Sequence, residues 1–153
     1  MSHPHHNARS EVATKLGGVL ASTYTLYLKT QNCHWNVRGP RFYFLHEMFG
    51  AQYQELQAAI DEIAERMRAL GQLAPGSFAE FTKLSTIEDA PTTALDESGM
   101  IALLAKGHRA MAALASELRV LADEHGDTAT GDLMNGRIHA HDKAAWMLES
   151  HEK

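Results

Sequence analysis

The sequence predicts an all-α protein built as a four-helix bundle, and three observations carry this prediction. Apolar residues recur at three- and four-residue spacing in four long segments. No segment shows the alternating pattern of a strand. A connection of more than 20 residues separates the second segment from the third. Such a connection lets the third helix lie parallel to the second, which gives two helical hairpins joined by one long crossover.

The first hairpin is expected from two long helices, over about 7–36 and about 41–70. Gly39-Pro40 breaks the chain between them, and Gly71 is a natural C-terminal stop for the second. The apolar stripe of the second helix stays in step over four heptads and consists of Phe42, Leu45, Phe49, Leu56, Ile60, Ile63, Met67 and Leu70.

The crossover is expected to contain one short extra helix, through about Lys83. Ser77 and Glu80 have the spacing of a capping box, in which each side chain satisfies a backbone N–H of the first turn. Phe78, Phe81 and Leu84 are expected to hold this helix against the bundle.

The second hairpin is expected from helices over about 98–125 and about 128–149, with Asp127 as the N-cap of the latter. His108 lies on the apolar stripe and is interpreted as a satisfied core histidine. His139 and His141 are about 200° apart around a helix and should not form a joint site. The methionines that we interpret as core fillers are Met67, Met111 and Met147.

Composition indicates a soluble globular chain, with 44% hydrophobic and 22% charged residues and no apolar run near the length of a membrane span. A single cysteine, Cys33, excludes an intrachain disulfide framework, and a cytoplasmic location is the default expectation. The expected organisation is a flexible His-rich tail over residues 1–8 and one helical domain over residues 9–153. The tail histidines His3, His5 and His6 could bind a metal ion, although a plain polar tail is the simpler interpretation.

The candidate chemistry lies between Asn32 and Gly71. His34 and His46 flank the first hairpin and can meet, whereas Asp61 and Glu65 share a face further along the second helix. His46 and Asp61 lie fifteen positions apart, about 22 Å at 1.5 Å per residue, so one chain cannot bring them to one ion. Two copies of the helix packed antiparallel across a two-fold axis would solve this, because each histidine pair would then meet the other chain's carboxylates.

Each of these residues also has a plain structural interpretation. A carboxylate pair four positions apart is usually a solvated face or a partner for Arg66 or Arg68, and a histidine near a helix end is often a cap. Nitrogen and carboxylate ligands together suit Fe(II), Zn(II) or Mn(II).

Taken together, the pattern HWN–x2–G–x5–LHE followed by D–x3–ER–x3–LG closely resembles the Dps (miniferritin) family. The resemblance covers the whole helical core and implies a ferritin-like bundle that assembles into a hollow dodecamer of two-fold dimers. It implies that Fe(II) is oxidised, preferably by hydrogen peroxide, and stored as ferric mineral, which protects the cell against oxidative stress.

By that resemblance His34, His46, Asp61 and Glu65 are the metal ligands and catalytic residues, with both carboxylates given by the two-fold mate. Trp35 would lie beside the site. The family usually has an acidic ligand four residues after its second histidine, and here Gly50 stands at that position. We therefore expect one good iron site from His34, Asp61 and Glu65, and a weaker second one from His46 and Glu65.

Three further expectations follow. The acidic turn with Asp123, Glu124, Asp127 and Asp132 would line iron entry pores by resemblance, although capping by Asp127 is an equal alternative. DNA binding, known for family members with basic tails, is not supported by a net charge of −5, although nucleoid association stays open. The alternatives to a ferroxidase are a DNA-coating nucleoid protein and a metal-binding shell with little turnover.

Overall fold

The computed structural model describes residues 4–152 of the chain, with side chains from Asn7 onward. Four long helices form a bundle, and within these residues there is no strand, so the predicted all-α four-helix fold is confirmed. The helices are α1 (Pro4–Asn36), α2 (Phe42–Ala69), α3 (Phe78–Leu84), α4 (Glu97–Glu124) and α5 (Thr128–Glu149), followed by a 3-10 turn (Ser150–Glu152).

The helix boundaries fall within a few residues of those expected from the sequence. The largest difference is at the start of α1, which begins at Pro4 rather than Asn7, so residues 4–8 of the expected tail lie in a helix. The flexibility of that tail stays a prediction. His3 lies outside the described residues, as do the side chains of His5 and His6.

The core lies between the apolar stripes of the long helices. Phe49, Leu16, Leu56 and Leu104 are completely buried in it, as the heptad spacing predicts. Helix α1 packs on α2 and on α4, and α4 packs on α5, whereas α2 and α5 scarcely touch each other. The bundle is therefore closed on three sides and leaves a groove between α2 and α5.

The crossover helix α3 is capped as expected, since the Ser77 hydroxyl accepts from the Glu80 backbone N–H at 3.2 Å. The expected apolar anchors are only partly right. Phe81 stacks on Tyr24 with ring centroids 4.8 Å apart, but Phe78 is 72% exposed and Leu84 is also exposed. Hydroxyl contacts from α1 to the segment after α3 help to hold the crossover against the bundle. They join Thr25 to Ser85 and Ser22 to Thr86.

Of the three methionines expected in the core, Met67 and Met111 are buried, and Met147 is not. Met147 is exposed because α5 turns its face toward the groove beside α2, where no helix covers it. Helical spacing alone could not show that one side of the bundle is open.

A buried polar cluster crosses the core from α4 to α5. His108 and His141 are 2% and 1% exposed, and their Nδ1 atoms are 2.9 Å apart. Arg137 lies 3.3 Å from His141 Nε2 and also pairs with Glu55 of α2. His108 is thus a core histidine as expected, but it is only half satisfied, because its Nε2 has no partner among the described residues.

Burial keeps both histidines of this pair neutral. It lowers the pKa of His108 to about 3 and that of His141 well below its ordinary value, and the nearby positive charge of Arg137 adds to both shifts. His139, two residues before His141, is exposed, so the two histidines lie on different faces of α5.

The turn between α4 and α5 is fixed by Gly126, at φ +70°, and by Asp127. The Asp127 carboxylate accepts from the Thr130 backbone N–H and forms an ion pair with Arg66 at 2.8 Å. Burial alone would raise the pKa of Asp127, but these contacts lower it. The expected capping role of Asp127 is confirmed. No helix within residues 4–152 has the length and apolar character needed to cross a membrane.

We predict that acid destabilises the protein through His108 and His141. Because their pKa values are lower in the folded chain, the unfolded chain binds more protons as the pH falls from 6.5 toward 3. The stability that the two neutral histidines contribute is therefore fully present above pH 6.5. It is lost as the pH falls through that window, by at most about 1.4 kcal/mol per pH unit for each histidine. Melting temperatures measured from pH 7.5 to 4 should show it.

The variant His108→Gln should flatten this pH dependence, whereas His139→Gln, at an exposed position of α5, should follow the wild type. Equal steepness in the wild type and His108→Gln would show that other groups govern the acid response.

Candidate metal centre at the first hairpin

The corner between α1 and α2 is held by contacts from the start of α4 and from the C-terminal 3-10 turn. Gly39 has φ +136°, a conformation that favours glycine. The backbone N–H of Arg41 donates to the Glu97 carboxylate at 2.9 Å, and its guanidinium donates to the carbonyl of His151 at 2.9 Å. Glu97 is only 8% exposed. Sequence reasoning missed this anchor, because nothing along the chain connects a glutamate at the start of α4 with Arg41.

Within this corner, His34 and His46 come together as expected. Their rings stack with centroids 3.8 Å apart and planes inclined by 13°. Each Nδ1 lies 2.7 Å from the other residue's backbone carbonyl oxygen. The two residues therefore exchange hydrogen bonds, which fixes both ring orientations and the register between the end of α1 and the start of α2.

These hydrogen bonds also assign the protons on the two rings. A carbonyl oxygen only accepts, so each Nδ1 must carry the hydrogen and donate. In the neutral imidazole the Nε2 lone pair is then free to bind a metal ion. Metal-binding histidines in proteins typically donate their other ring N–H to a carbonyl in this way.

Aromatic residues enclose the histidine pair on two sides. Phe42 stacks on His46 with centroids 5.0 Å apart, and Tyr53 meets the ring of His34 edge-on at 5.2 Å. Sequence reasoning missed Tyr53, although its position seven residues after His46 on α2 was a usable signal. Trp35, expected beside the site, is 62% exposed on the surface of the single chain.

Gly50 is buried directly beneath the His34 ring. A Cβ atom placed on Gly50 would lie 3.1 Å from His34 Cε1 and 3.2 Å from Nδ1, tighter than ordinary van der Waals contact. The glycine therefore does more than remove a ligand. It provides the space in which the His34 ring rests, and an acidic side chain there would require that ring to shift.

Asp61 and Glu65 lie on the exposed face of α2, apart from the histidine pair. Neither forms an ion pair in the described part of the chain, because Arg66 pairs with Asp127 and Arg68 donates to the carbonyl of Gln72. The single chain brings together no group of three or more potential ligands among its described residues. The two halves of the expected site are thus both present and separate.

Neighbouring groups are less suited to metal binding. Burial raises the pKa of Cys33 to about 11, so its thiol stays protonated at neutral pH. In the acidic turn, Asp123 pairs with Arg119 at 2.7 Å and Asp127 with Arg66, while Glu124 and Asp132 are exposed. The structure of the single chain does not test the expected pore.

Comparisons with known proteins agree with this architecture. The ferritin-like domain family matches residues 13–153. DNA protection during starvation protein 2 of Bacillus anthracis is 34% identical over 140 residues, which are 92% of this chain and 95% of that protein.

Two solved structures are similar over nearly their whole length. Dps from Thermosynechococcus elongatus has a TM-score of 0.94 at 28% identity, covering 99% of this chain and 96% of that one. Dps from Vibrio cholerae, described as a member of the ferritin-like diiron-carboxylate proteins, has a TM-score of 0.92 at 31% identity, covering 97% and 92%. The chain belongs to the Dps family of ferritin-like proteins.

Proposed function

We propose that this protein is a miniferritin that oxidises Fe(II) at sites shared between two subunits. His34 and His46 of one chain and Asp61 and Glu65 of its two-fold mate bind the iron. Hydrogen peroxide is the preferred oxidant, and the ferric product is stored inside a hollow dodecamer. Iron and peroxide are thereby removed together.

The observation that carries the proposal is the reciprocal hydrogen bonding of His34 and His46. It leaves two Nε2 lone pairs without a carboxylate from the same chain, while Asp61 and Glu65 remain exposed and unpaired within the described residues. A nitrogen pair combined with carboxylates suits Fe(II), and Zn(II) or Mn(II) could substitute. A two-fold contact between copies of α2 generates two equivalent sites per dimer.

The electron balance of the reaction is simple. Each Fe(II) loses one electron, and hydrogen peroxide takes two as its O–O bond breaks and two hydroxides form. The residues of the chain bind and orient the iron, and no side chain needs to change its oxidation state. Because Gly50 offers no ligand, the second iron ion is held by His46 and Glu65 with water filling the gap.

Iron would enter through the acidic turn. Asp132 carries an exposed carboxylate that can attract Fe(II), whereas Asp123 is paired with Arg119 and Asp127 with Arg66 and Thr130. A metal-binding shell with little turnover is the second candidate, and the glycine at position 50 favours it. Coating of DNA is suggested by the names of relatives such as the Bacillus anthracis protein and is opposed by a net charge of −5.

The first test is oxidation of Fe(II) added without oxygen and followed by absorbance after addition of peroxide. We expect ferric product to form with near-stoichiometric consumption of peroxide. His34→Ala and Glu65→Gln should each lower the rate on the order of 10- to 100-fold, because each removes a proposed ligand. Glu62→Gln, at an exposed carboxylate on another face of α2, is the matched control. Oxidation no faster than in buffer would leave the metal-binding shell as the function.

The second test asks whether the sites are shared. Subunits carrying His34→Ala are mixed with subunits carrying Glu65→Gln after dissociation and reassembly. In a mixed dimer one site then has both changes and the other has none, so about a quarter of all sites regain full ligation after random pairing. No recovery of oxidation in a verified mixed assembly would mean that each site lies within one chain.

The third test concerns Gly50. We predict that Gly50→Ala weakens Zn(II) and Fe(II) binding several-fold, because its methyl group presses on the His34 ring. The control is Gly136→Ala, where the added Cβ meets nothing within 4 Å. This control should gain about 1 kcal/mol of helix stability without a change in metal affinity. Calorimetric titration measures the affinity, and unchanged binding by Gly50→Ala would show that the ring moves freely.

A further inference from the structure

The groove between α2 and α5 has the dimensions of a small-molecule site. Its volume is about 640 Å³, within the usual range for ligand pockets. Its apolar walls are aromatic, thioether and methyl groups from Phe44, Met48, Ala140, Ala144 and Met147, and His139, Lys143 and His151 line it as well. Such walls adapt to a flat apolar molecule. The groove lies on another part of the bundle from the carboxylate pair of α2.

Two residues that line this groove are buried and lack hydrogen-bond partners. Gln52 is 8% exposed, and neither its amide nitrogen nor its amide oxygen has a partner within the described chain. His108 is 2% exposed, and its Nε2 is likewise without a partner there. A buried polar group without a hydrogen-bond partner destabilises the fold. These atoms therefore favour an occupant that can pair with them.

The hydrogen bonds of the polar cluster show what His108 offers. A guanidinium only donates, so His141 Nε2 accepts from Arg137 and the hydrogen of His141 lies on Nδ1. His141 Nδ1 then donates to His108 Nδ1. The hydrogen of neutral His108 is consequently on Nε2, the atom without a partner. His108 is a donor, and Gln52 is both a donor and an acceptor.

Two donors and one acceptor match a hydroxyl group, which can accept from two N–H groups and donate to one carbonyl. We propose that the groove between α2 and α5 binds a small phenolic molecule, with its hydroxyl at Gln52 and His108 and its ring between Phe44, Met48 and Met147. Glu55 is the one carboxylate lining the groove, and Arg137 pairs with it, so a cationic ligand finds no free counter-charge there.

The test compares phenol with toluene, which has a similar shape but no hydroxyl, by calorimetric titration of the assembled full-length protein. We expect phenol to bind about tenfold more tightly than toluene, as one or two buried hydrogen bonds imply. Gln52→Met keeps the length of the side chain and removes its polar atoms. It should reduce that preference to less than about threefold while toluene still binds. Ala140→Phe, which fills the groove, should abolish binding of both.

Equal affinity for phenol and toluene in the wild type would overturn the proposal, and so would an unchanged preference in Gln52→Met. A crystal structure of the phenol-soaked assembly that shows water or another subunit's side chain bonded to Gln52 and His108 would also overturn it. The inference does not rest on the iron chemistry. Gln52→Met should oxidise Fe(II) at the wild-type rate, so failure of either proposal is recognised separately.

Discussion

The exchange of hydrogen bonds between His34 and His46 is the interaction on which the candidate site depends. It joins the last turn of α1 to the first turns of α2 and fixes the corner in one register. The same two bonds place a hydrogen on each Nδ1 and leave both Nε2 lone pairs free for the proposed metal binding. Contacts that stabilise the fold thus also orient the proposed metal ligands, and the anchor of Arg41 on Glu97, at the start of α4, holds the same corner.

The sequence predicted what depends on periodicity or on short separation. Helix α5 was expected at its observed bounds, and the meeting of His34 with His46 followed from their positions on either side of one break. The paired burial of His108 and His141 could not be predicted, because it depends on the register between α4 and α5. The exposure of Met147 was missed for a related reason, since the spacing of apolar residues shows a helix's face but not whether a neighbour covers it.

Gly50 shows how one residue can have opposite meanings in sequence and structure. Along the sequence it is a missing acidic ligand, which predicts a weaker second iron position. In the structure it gives the His34 ring room, because a Cβ at this position would lie 3.1 Å from His34 Cε1 and would press on the ring. An acidic side chain at position 50 would add one potential ligand and press on His34, another proposed ligand. The glycine and the stacked histidines are therefore best understood as one unit.

The division of the site between exposed carboxylates and a half-buried histidine pair has a physical rationale. Asp61 and Glu65 remain hydrated in the single chain, so folding need not bury two unpaired negative charges. Association would then desolvate them only where a metal ion compensates their charge. Trp35 and Tyr43 next to the corner are 62% and 69% exposed, large apolar surfaces that contact with a second copy would cover. On the proposed function, assembly and iron binding would therefore stabilise each other. The metal ion would compensate the carboxylate charges that assembly desolvates, and assembly would bring together the ligands that bind the metal ion.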